Sequence, residues 1–209
     1  CEVFRHGVIM TKAKEAQLFS SAHAAMSWAT NFRHLIVPRS SMNQMMAPSS
    51  GTGGNGLGGL DGAAQAGMIL GEAKRLPGVL WGPCLFVRTA PKTIPCICGR
   101  PCCSGHTPNF EWLEAVAYLA DKLRKQQEEE REPGKRGSVD NPRLRRALVI
   151  KHFEPGVSLD TIAKDCEQSL STTSTQWSYI HQHLKQAEKG AWHALSELLY
   201  QLGIIGEDL

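Results

Sequence analysis

The sequence predicts a mainly α-helical protein whose C-terminal third forms three closely spaced helices. Breakers such as Pro155-Gly156 separate segments in which apolar residues recur with helical spacing. The shortest segment carries one stripe at i, i+3, i+4 and i+7: Leu159, Ile162, Ala163 and Cys166. A short helix with so narrow a stripe is stable only when it packs on neighbours. We therefore expect a three-helix unit with the connections of a helix-turn-helix.

Composition leaves several protein classes open and excludes others. The chain has 209 residues, 42% of them hydrophobic, and a formal net charge of +3, which allows one or two small domains. So mild a positive charge does not by itself indicate a nucleic-acid partner. The chain has no apolar run of about 18 residues and no secretory signal pattern at residues 1–9. We expect a cytoplasmic protein that does not contact a membrane.

The first sixty residues predict a leader, a helix and a linker. Residues 1–10 are expected to be a disordered leader, because Met10 begins a natural translation start. Alanines favour a helix over 11–35, and Pro38 ends it. Residues 38–60 are rich in Gly, Ser, Met and Pro, which predicts a Gly-rich linker. No Lys-Ser or Lys-Thr pair follows these glycines, so they do not form a phosphate-binding loop.

The next segments predict two helices and an extended stretch. A helix is expected from Asp61, whose side chain can cap it, to Leu76. Residues 79–88 are apolar, and Pro83 within them predicts an extended segment rather than a central strand. Thr107-Pro108 predicts the start of another helix. Its expected apolar face consists of Leu113, Val116, Ala117, Ala120 and Leu123.

A Cys-rich loop over 95–106 contains five potential metal ligands: Cys96, Cys98, Cys102, Cys103 and His106. Zinc prefers four thiolate or imidazole ligands held on tight turns, and Gly99, Pro101 and Gly105 favour such turns. The chain has seven cysteines, and an odd number argues against a simple disulfide framework. We expect a structural zinc site here, to which Cys84 could add a ligand. Buried structural cysteines are the alternative.

A charged segment over 126–140, which includes Pro133-Gly134, predicts a linker. It would divide a helical N-terminal part, 11–125, from a C-terminal domain, 141–205. Within that domain we expect helices over Arg143–Phe153, Ser158–Cys166 and about Thr175–Leu202.

Two polar faces of this domain are candidates for contacts with DNA. The first predicted helix has a basic face of Arg143, Arg145, Arg146 and Lys151. The third has hydrogen-bonding side chains opposite its apolar seam: Gln176, Tyr179, Gln182, His183 and Lys185. In a helix-turn-helix the second helix of the pair reads the major groove, and cations contact phosphates. Ordinary solvated surface is the alternative interpretation of both faces.

A resemblance to known families sharpens this expectation. Leu148–Ala163 resembles region 4 of bacterial sigma factors, where a helix, a short turn and an Ile-Ala pair lead into the recognition helix. This chain is longer than that pattern at Glu167–Ser174, which predicts a late-starting recognition helix or a bulged turn. More loosely, the chain resembles the small branch of lambdoid phage Q-like late-gene antitermination proteins. That similarity rests on Trp28-Ala29, Met42 to Met46, the Ala-rich helix from Asp61 and Leu184–Gly190.

The resemblance implies a DNA-binding transcription regulator and not an enzyme. Such a protein would bind double-stranded DNA near a late promoter and contact RNA polymerase in the cytoplasm of a bacterial host. Two alternatives remain: a DNA-packaging recognition protein like a terminase small subunit, and a zinc or thiol enzyme built on Cys96–His106. The sequence sets neither the oligomeric state nor the DNA target.

Overall fold

The structure is a computed structural model that describes residues 18–35, 59–96, 98, 104–131 and 141–206. These residues form a mainly helical protein with one small antiparallel hairpin. Its helices are α1 (Ala22–Leu35), α2 (Gly59–Arg75), α3 (Trp81–Thr89), α4 (Phe110–Glu129), α5 (Pro142–Phe153), α6 (Leu159–Asp165) and α7 (Leu170–Gln201). The hairpin pairs β1 (Thr93–Pro95) with β2 (His106–Pro108). The mainly α-helical prediction is confirmed.

Helix α1 begins later than the predicted 11–35. Ser21 caps it, because its Oγ accepts the Ala24 N–H at 3.1 Å. Residues 18–20 are not helical, and Phe19 instead forms a parallel β-bridge with Ile205. The predicted leader 1–10, the remainder of the segment before residue 18 and nearly all of the predicted linker 38–60 lie outside the described residues.

Helix α2 covers nearly all of the segment expected to be helical from Asp61 to Leu76, but it begins at Gly59, so Asp61 lies in its first turn and is not its cap. The next segment is not extended as predicted. Residues 81–89 form α3, and Pro83 lies in its first turn. The backbone N–H groups of a first turn have no intrahelical acceptor, so a proline costs little there.

Helix α4 starts two residues after the predicted Thr107-Pro108, because those residues belong to β2. Asn109 is the cap, and its side chain accepts the Trp112 N–H at 3.3 Å. The buried face therefore includes Trp112 and Leu119, whereas Leu113, which was expected to be buried, is 44% exposed. The helix continues to Glu129, into the predicted linker.

The three C-terminal helices are present, and α7 begins earlier than expected. Asn141 caps α5, Ser158 caps α6 and Ser169 caps α7. The extra residues at 167–174 therefore produce neither a late helix nor a bulge. Instead, Leu170 to Ser174 form the first turns of α7.

A Schellman motif joins α6 to α7. The Gln168 N–H donates to Ala163 O at 2.9 Å, and the Glu167 N–H donates to Lys164 O at 3.1 Å. Glu167 has a φ of 54°, a left-handed conformation that favours glycine. The turn that ends α6 thus places Glu167 in a backbone conformation that glutamate disfavours.

Two clusters of buried side chains form the core, and α7 contributes to both. One contains Leu119 and Leu123 of α4, Leu144 and Leu148 of α5, and Leu184 of α7, with residues of α3 and α6. The other joins α1 and α2 to the C-terminal half of α7. Helices on both sides of the predicted linker 126–140 therefore share a core.

We expect Glu167→Gly to stabilise the protein by about 1 kcal/mol, because glycine adopts a positive φ without the steric cost of a Cβ. Urea unfolding measures this change. The matched control is Glu167→Ala, which keeps the Cβ and should give no such gain. An equal gain in both variants would attribute the effect to loss of the exposed carboxylate.

Candidate nucleic-acid interface

One face of α7 is exposed from its first turn and carries no acidic residue. Its members follow the helical repeat: Ser171, Ser174, Thr175, Ser178, Gln182, Lys185, Gln186 and Lys189. At 1.5 Å per residue, this row extends about 27 Å along the helix. We call these eight residues the α7 stripe.

The stripe offers hydrogen-bond acceptors at one end and cations at the other. Thr175 Oγ1 donates to Ser171 O at 3.0 Å, and Ser178 Oγ donates to Ser174 O at 3.1 Å. Because these protons are used within the helix, the hydroxyl oxygens are left to accept hydrogen bonds. Base amino groups supply such donors, while Lys185 and Lys189 suit phosphate.

The opposite side of α7 explains why the stripe faces outward. Its residues form a buried seam at spacings of three and four: Thr173, Gln176, Ile180, Leu184, Ala187, Ala191, Leu195 and Leu199. The seam packs into both core clusters, so the rotation of the helix about its axis is fixed. The stripe therefore lies on a rigid support.

Four of the residues predicted to contact DNA are exposed. Gln182 and Lys185 lie on the α7 stripe, and Arg143 and Arg146 lie on α5. Burial raises the pKa of the Cys166 thiol at the end of α6, and the charge of Arg143 opposes that rise. Arg143 is thus close enough to the α6–α7 turn to act on Cys166.

Two of the residues predicted to contact DNA have buried side chains. Arg145 is 4% exposed, and its Nη1 donates to Gln127 Oε1 of α4 at 3.1 Å. Gln176, also 4% exposed, belongs to the buried seam of α7. A fully exposed basic face on α5 would require that only one side of this helix be covered. In the structure both α4 and α7 pack against it.

The remaining three predicted contacts are half-buried and bonded within the protein. Tyr179 Oη donates to Glu130 Oε2 at 2.9 Å, and burial together with this hydrogen bond raises the pKa of Tyr179. His183 Nδ1 lies 2.9 Å from Tyr179 O. Lys151 donates to Val157 O, and its Nζ lies 5.4 Å from the centroid of the Trp177 ring. These residues support the fold around the stripe.

The hydroxyl residues at the start of the stripe were not among the predicted contacts. The predicted third helix began at about Thr175, so Ser171 and Ser174 lay outside it. The missed signal is Ser169, whose Oγ accepts the Thr172 N–H at 3.1 Å as an N-cap. A serine cap followed by a run of hydroxyl residues indicated the earlier start.

A half-buried polar network joins α7 to α3 and α5. Arg88 of α3 binds Glu188 of α7 through two hydrogen bonds, at 2.5 and 2.8 Å. His152 Nε2 of α5 donates to Glu188 Oε2 at 3.0 Å, and its Nδ1 lies 3.0 Å from Nδ1 of His181. Burial lowers the pKa of His181, and the nearby His152 adds to that effect.

The electrostatics of this network favour a charged Glu188. Burial alone would raise the pKa of this carboxyl group. Hydrogen bonds from Arg88 and His152 outweigh the burial and bring the pKa to about 2. Glu188 is therefore an anion at neutral pH, neutralised by Arg88.

The Cys-rich loop is described only in part. Cys96 follows β1, and its N–H donates to Gly105 O at 2.8 Å, which brings it close to His106 in β2. The Cys98 N–H donates to Cys96 Sγ at 3.4 Å. Cys102 and Cys103 lie outside the described residues. Among the residues that the structure describes, no three His, Cys, Asp or Glu side chains are grouped so that they could hold a metal ion.

The described cysteines differ in environment. Cys98 is exposed and Cys96 is half-buried, so burial in a core does not explain this pair. Cys84 is buried in α3, and burial, with the charge of Glu188, raises its pKa to about 12. A core thiol of this kind is neither a nucleophile at neutral pH nor a ligand for the loop.

We expect the Glu188 network to make stability pH-dependent in acid. The carboxyl pKa is about 2 in the folded protein and 4.5 for an ordinary glutamate. Its contribution to the free energy of unfolding should therefore be complete above pH 4.5 and be lost as the pH falls towards 2. Urea unfolding across this range should show a shallower pH dependence for Glu188→Gln than for the unmodified protein.

The control for this prediction is Glu197→Gln, a change at a largely exposed position on the same helix. It should retain the pH dependence of the unmodified protein. Parallel curves for Glu188→Gln and the unmodified protein would show that the network does not hold the carboxylate.

Among the described residues, no helix is both long and apolar enough to cross a membrane. No protein-family model matches this chain, and neither a curated protein nor a solved structure matches it. Any function assigned to the interface therefore rests on its geometry and on the sequence resemblance.

Proposed function

We propose that the protein is a DNA-binding transcription regulator that contacts duplex DNA through the α7 stripe and Arg143. The observation that supports this is the acid-free exposed row on α7, which follows α6 after a tight turn. Asn141, the cap of α5, donates from its Nδ2 to Cys166 O at 3.2 Å, so the first turn of α5, which carries Arg143, lies at the end of α6. Hydroxyl and amide groups of the row would contact base edges, and the cations would contact phosphates.

The charge distribution supports a modest electrostatic contribution to binding. Residues 141–206 contain seven lysines and arginines against six acids. Several of these acids are paired away from the stripe: Glu188 with Arg88, Glu154 with Lys92 and Asp160 with Lys164. If Arg143, Lys185 and Lys189 each neutralise one phosphate, log K should fall with log salt at a slope of about −3.

The finer proposal is a phage-type late-gene antitermination protein that also contacts RNA polymerase in the cytoplasm of a bacterial host. Its support is the resemblance of Leu148–Ala163 to sigma region 4 and the looser similarity to Q-like proteins. The contact with polymerase would be tested by transcription through a terminator downstream of the bound site.

We expect Lys185→Ala and Lys189→Ala each to weaken binding to every duplex and to reduce the salt slope by about one. Duplexes selected from a random pool at low salt provide the probe, and fluorescence anisotropy measures the affinity. Ser174→Ala should instead change which sequences are selected, because that hydroxyl is placed to contact a base.

Lys125→Ala is the matched control for the DNA-binding variants. Lys125 is an exposed lysine on α4, paired with Asp121 and absent from the stripe. Its loss removes the same charge and should leave the affinity unchanged. Binding that is independent of salt, or an equal loss in the control, would contradict the proposal.

We also propose that the Cys-rich loop binds zinc in a structural role. The support is the hairpin, which brings Cys96 and His106 to one end, and the exposure of Cys98. Thiolate and imidazole ligands suit zinc, and a backbone N–H directed at Cys96 Sγ favours the thiolate. Cys102 and Cys103 would complete the ligand set.

We expect protein purified without chelators to contain about one equivalent of zinc. Removal of the metal should lower the thermal midpoint, because a structural zinc site contributes folding free energy. Elemental analysis and thermal unfolding measure the two effects. His106→Ala should lose zinc, whereas His193→Ala, an exposed histidine of α7, should retain it. A zinc content well below one equivalent in the unmodified protein would contradict the proposal.

A further inference from the structure

A groove of about 840 Å³ lies between α2, α3 and α4, and no residue of α7 lines it. Its walls are mostly apolar. Val79, in the turn between α2 and α3, is 60% exposed, and Tyr118 of α4 is 40% exposed. An apolar groove with large exposed side chains is typical of a face that another molecule covers.

The α2 side of the groove is unusually open. Gly67 and Gly71 are one turn apart on this wall. A Cβ at either glycine would meet no atom of the described residues outside the helix within 4 Å. Each glycine costs about 1 kcal/mol relative to alanine within a helix. Packing among the described residues does not explain why glycine occupies these positions. The close approach of a second backbone would explain it.

The charged residues at the two rims of the groove indicate which molecule could bind there. Lys74 lies on the α2 rim and Glu114 on the α4 rim. In the part of the chain that the structure describes, neither side chain makes an ion pair. A two-fold axis along the groove would place the α2 wall of each copy, with Lys74, opposite the α4 wall of the other, with Glu114 and Glu111. A groove with a cation on one wall and acids on the other is thus complementary to itself.

We propose that this groove is the interface of a symmetric homodimer. The exposed aromatic and aliphatic side chains of one copy cover the α2 glycines of the other. Two Lys74–Glu114 pairs set the register at the edges, where like charges would oppose association. The interface is independent of the α7 stripe, so the homodimer does not depend on the proposed DNA-binding function.

Charge reversal tests the two-fold arrangement directly. Lys74→Glu places two acids at each rim contact, and Glu114→Lys places two bases there. Each variant alone should weaken self-association by at least about tenfold, as sedimentation velocity measures. An equimolar mixture of the two variants should restore association as a heterodimer, because opposite charges then meet at both contacts.

The matched controls are Lys189→Glu and Glu197→Lys, which make the same charge changes on α7 and should leave self-association unchanged. Gly71→Leu is an independent test. It improves helix propensity and points into open space, so it should preserve the folded monomer and abolish the dimer. Circular dichroism verifies the fold of each variant.

Three results would overturn the proposal. The first is an unmodified protein that remains monomeric at about 100 μM, well above the affinity expected of a specific dimer. The second is single charge reversals that dimerise as well as the controls. The third is a mixture of Lys74→Glu and Glu114→Lys that fails to associate while the unmodified protein dimerises.

Discussion

The contact between Arg88 and Glu188 joins three helices at one point. The two side chains are 31% and 14% exposed, and an ion pair partly withdrawn from water is stable only when its remaining hydrogen-bonding groups are also satisfied. Here both carboxylate oxygens are used, one of them twice, and Arg88 Nη1 also donates to Phe153 O at 3.1 Å. The contact therefore joins α3 and α5 to α7, which in turn contributes to both core clusters.

The same helical repeat produces the core seam and the exposed stripe of α7. Rotation of the helix about its axis would expose Ile180 and Leu184, so the hydrophobic effect holds the polar row outward. The burial of Arg145 and Gln176 follows from the same arrangement, since α4 and α7 both cover α5. The exposed surface available to a partner is therefore narrower than the predicted basic face of α5, and it lies mainly on α7.

Local signals in the sequence predicted much of the fold. Ser158 and the stripe from Leu159 to Cys166 gave α6 correctly, because capping and apolar spacing are properties of neighbouring residues. The start of α3 at Trp81 was missed although Pro83 is tolerated in a first helical turn. The left-handed Glu167 was missed because glutamate disfavours a positive φ. Arg88 and Glu188 lie 100 residues apart, so periodicity could not pair them. Among the residues predicted to contact DNA, only those with exposed side chains remain candidates. Whether a side chain is exposed depends on how many neighbouring helices cover its own helix.

The bridge between Phe19 and Ile205 has a consequence for the order of folding. Nearly all of the described chain lies between these two residues, so forming their contact closes a very long loop. Closing a long loop is entropically costly until shorter-range contacts have formed, and such pairings slow the search for the native state. Contacts among α4, α5 and α6 join segments close in sequence, so we expect them to form before this bridge.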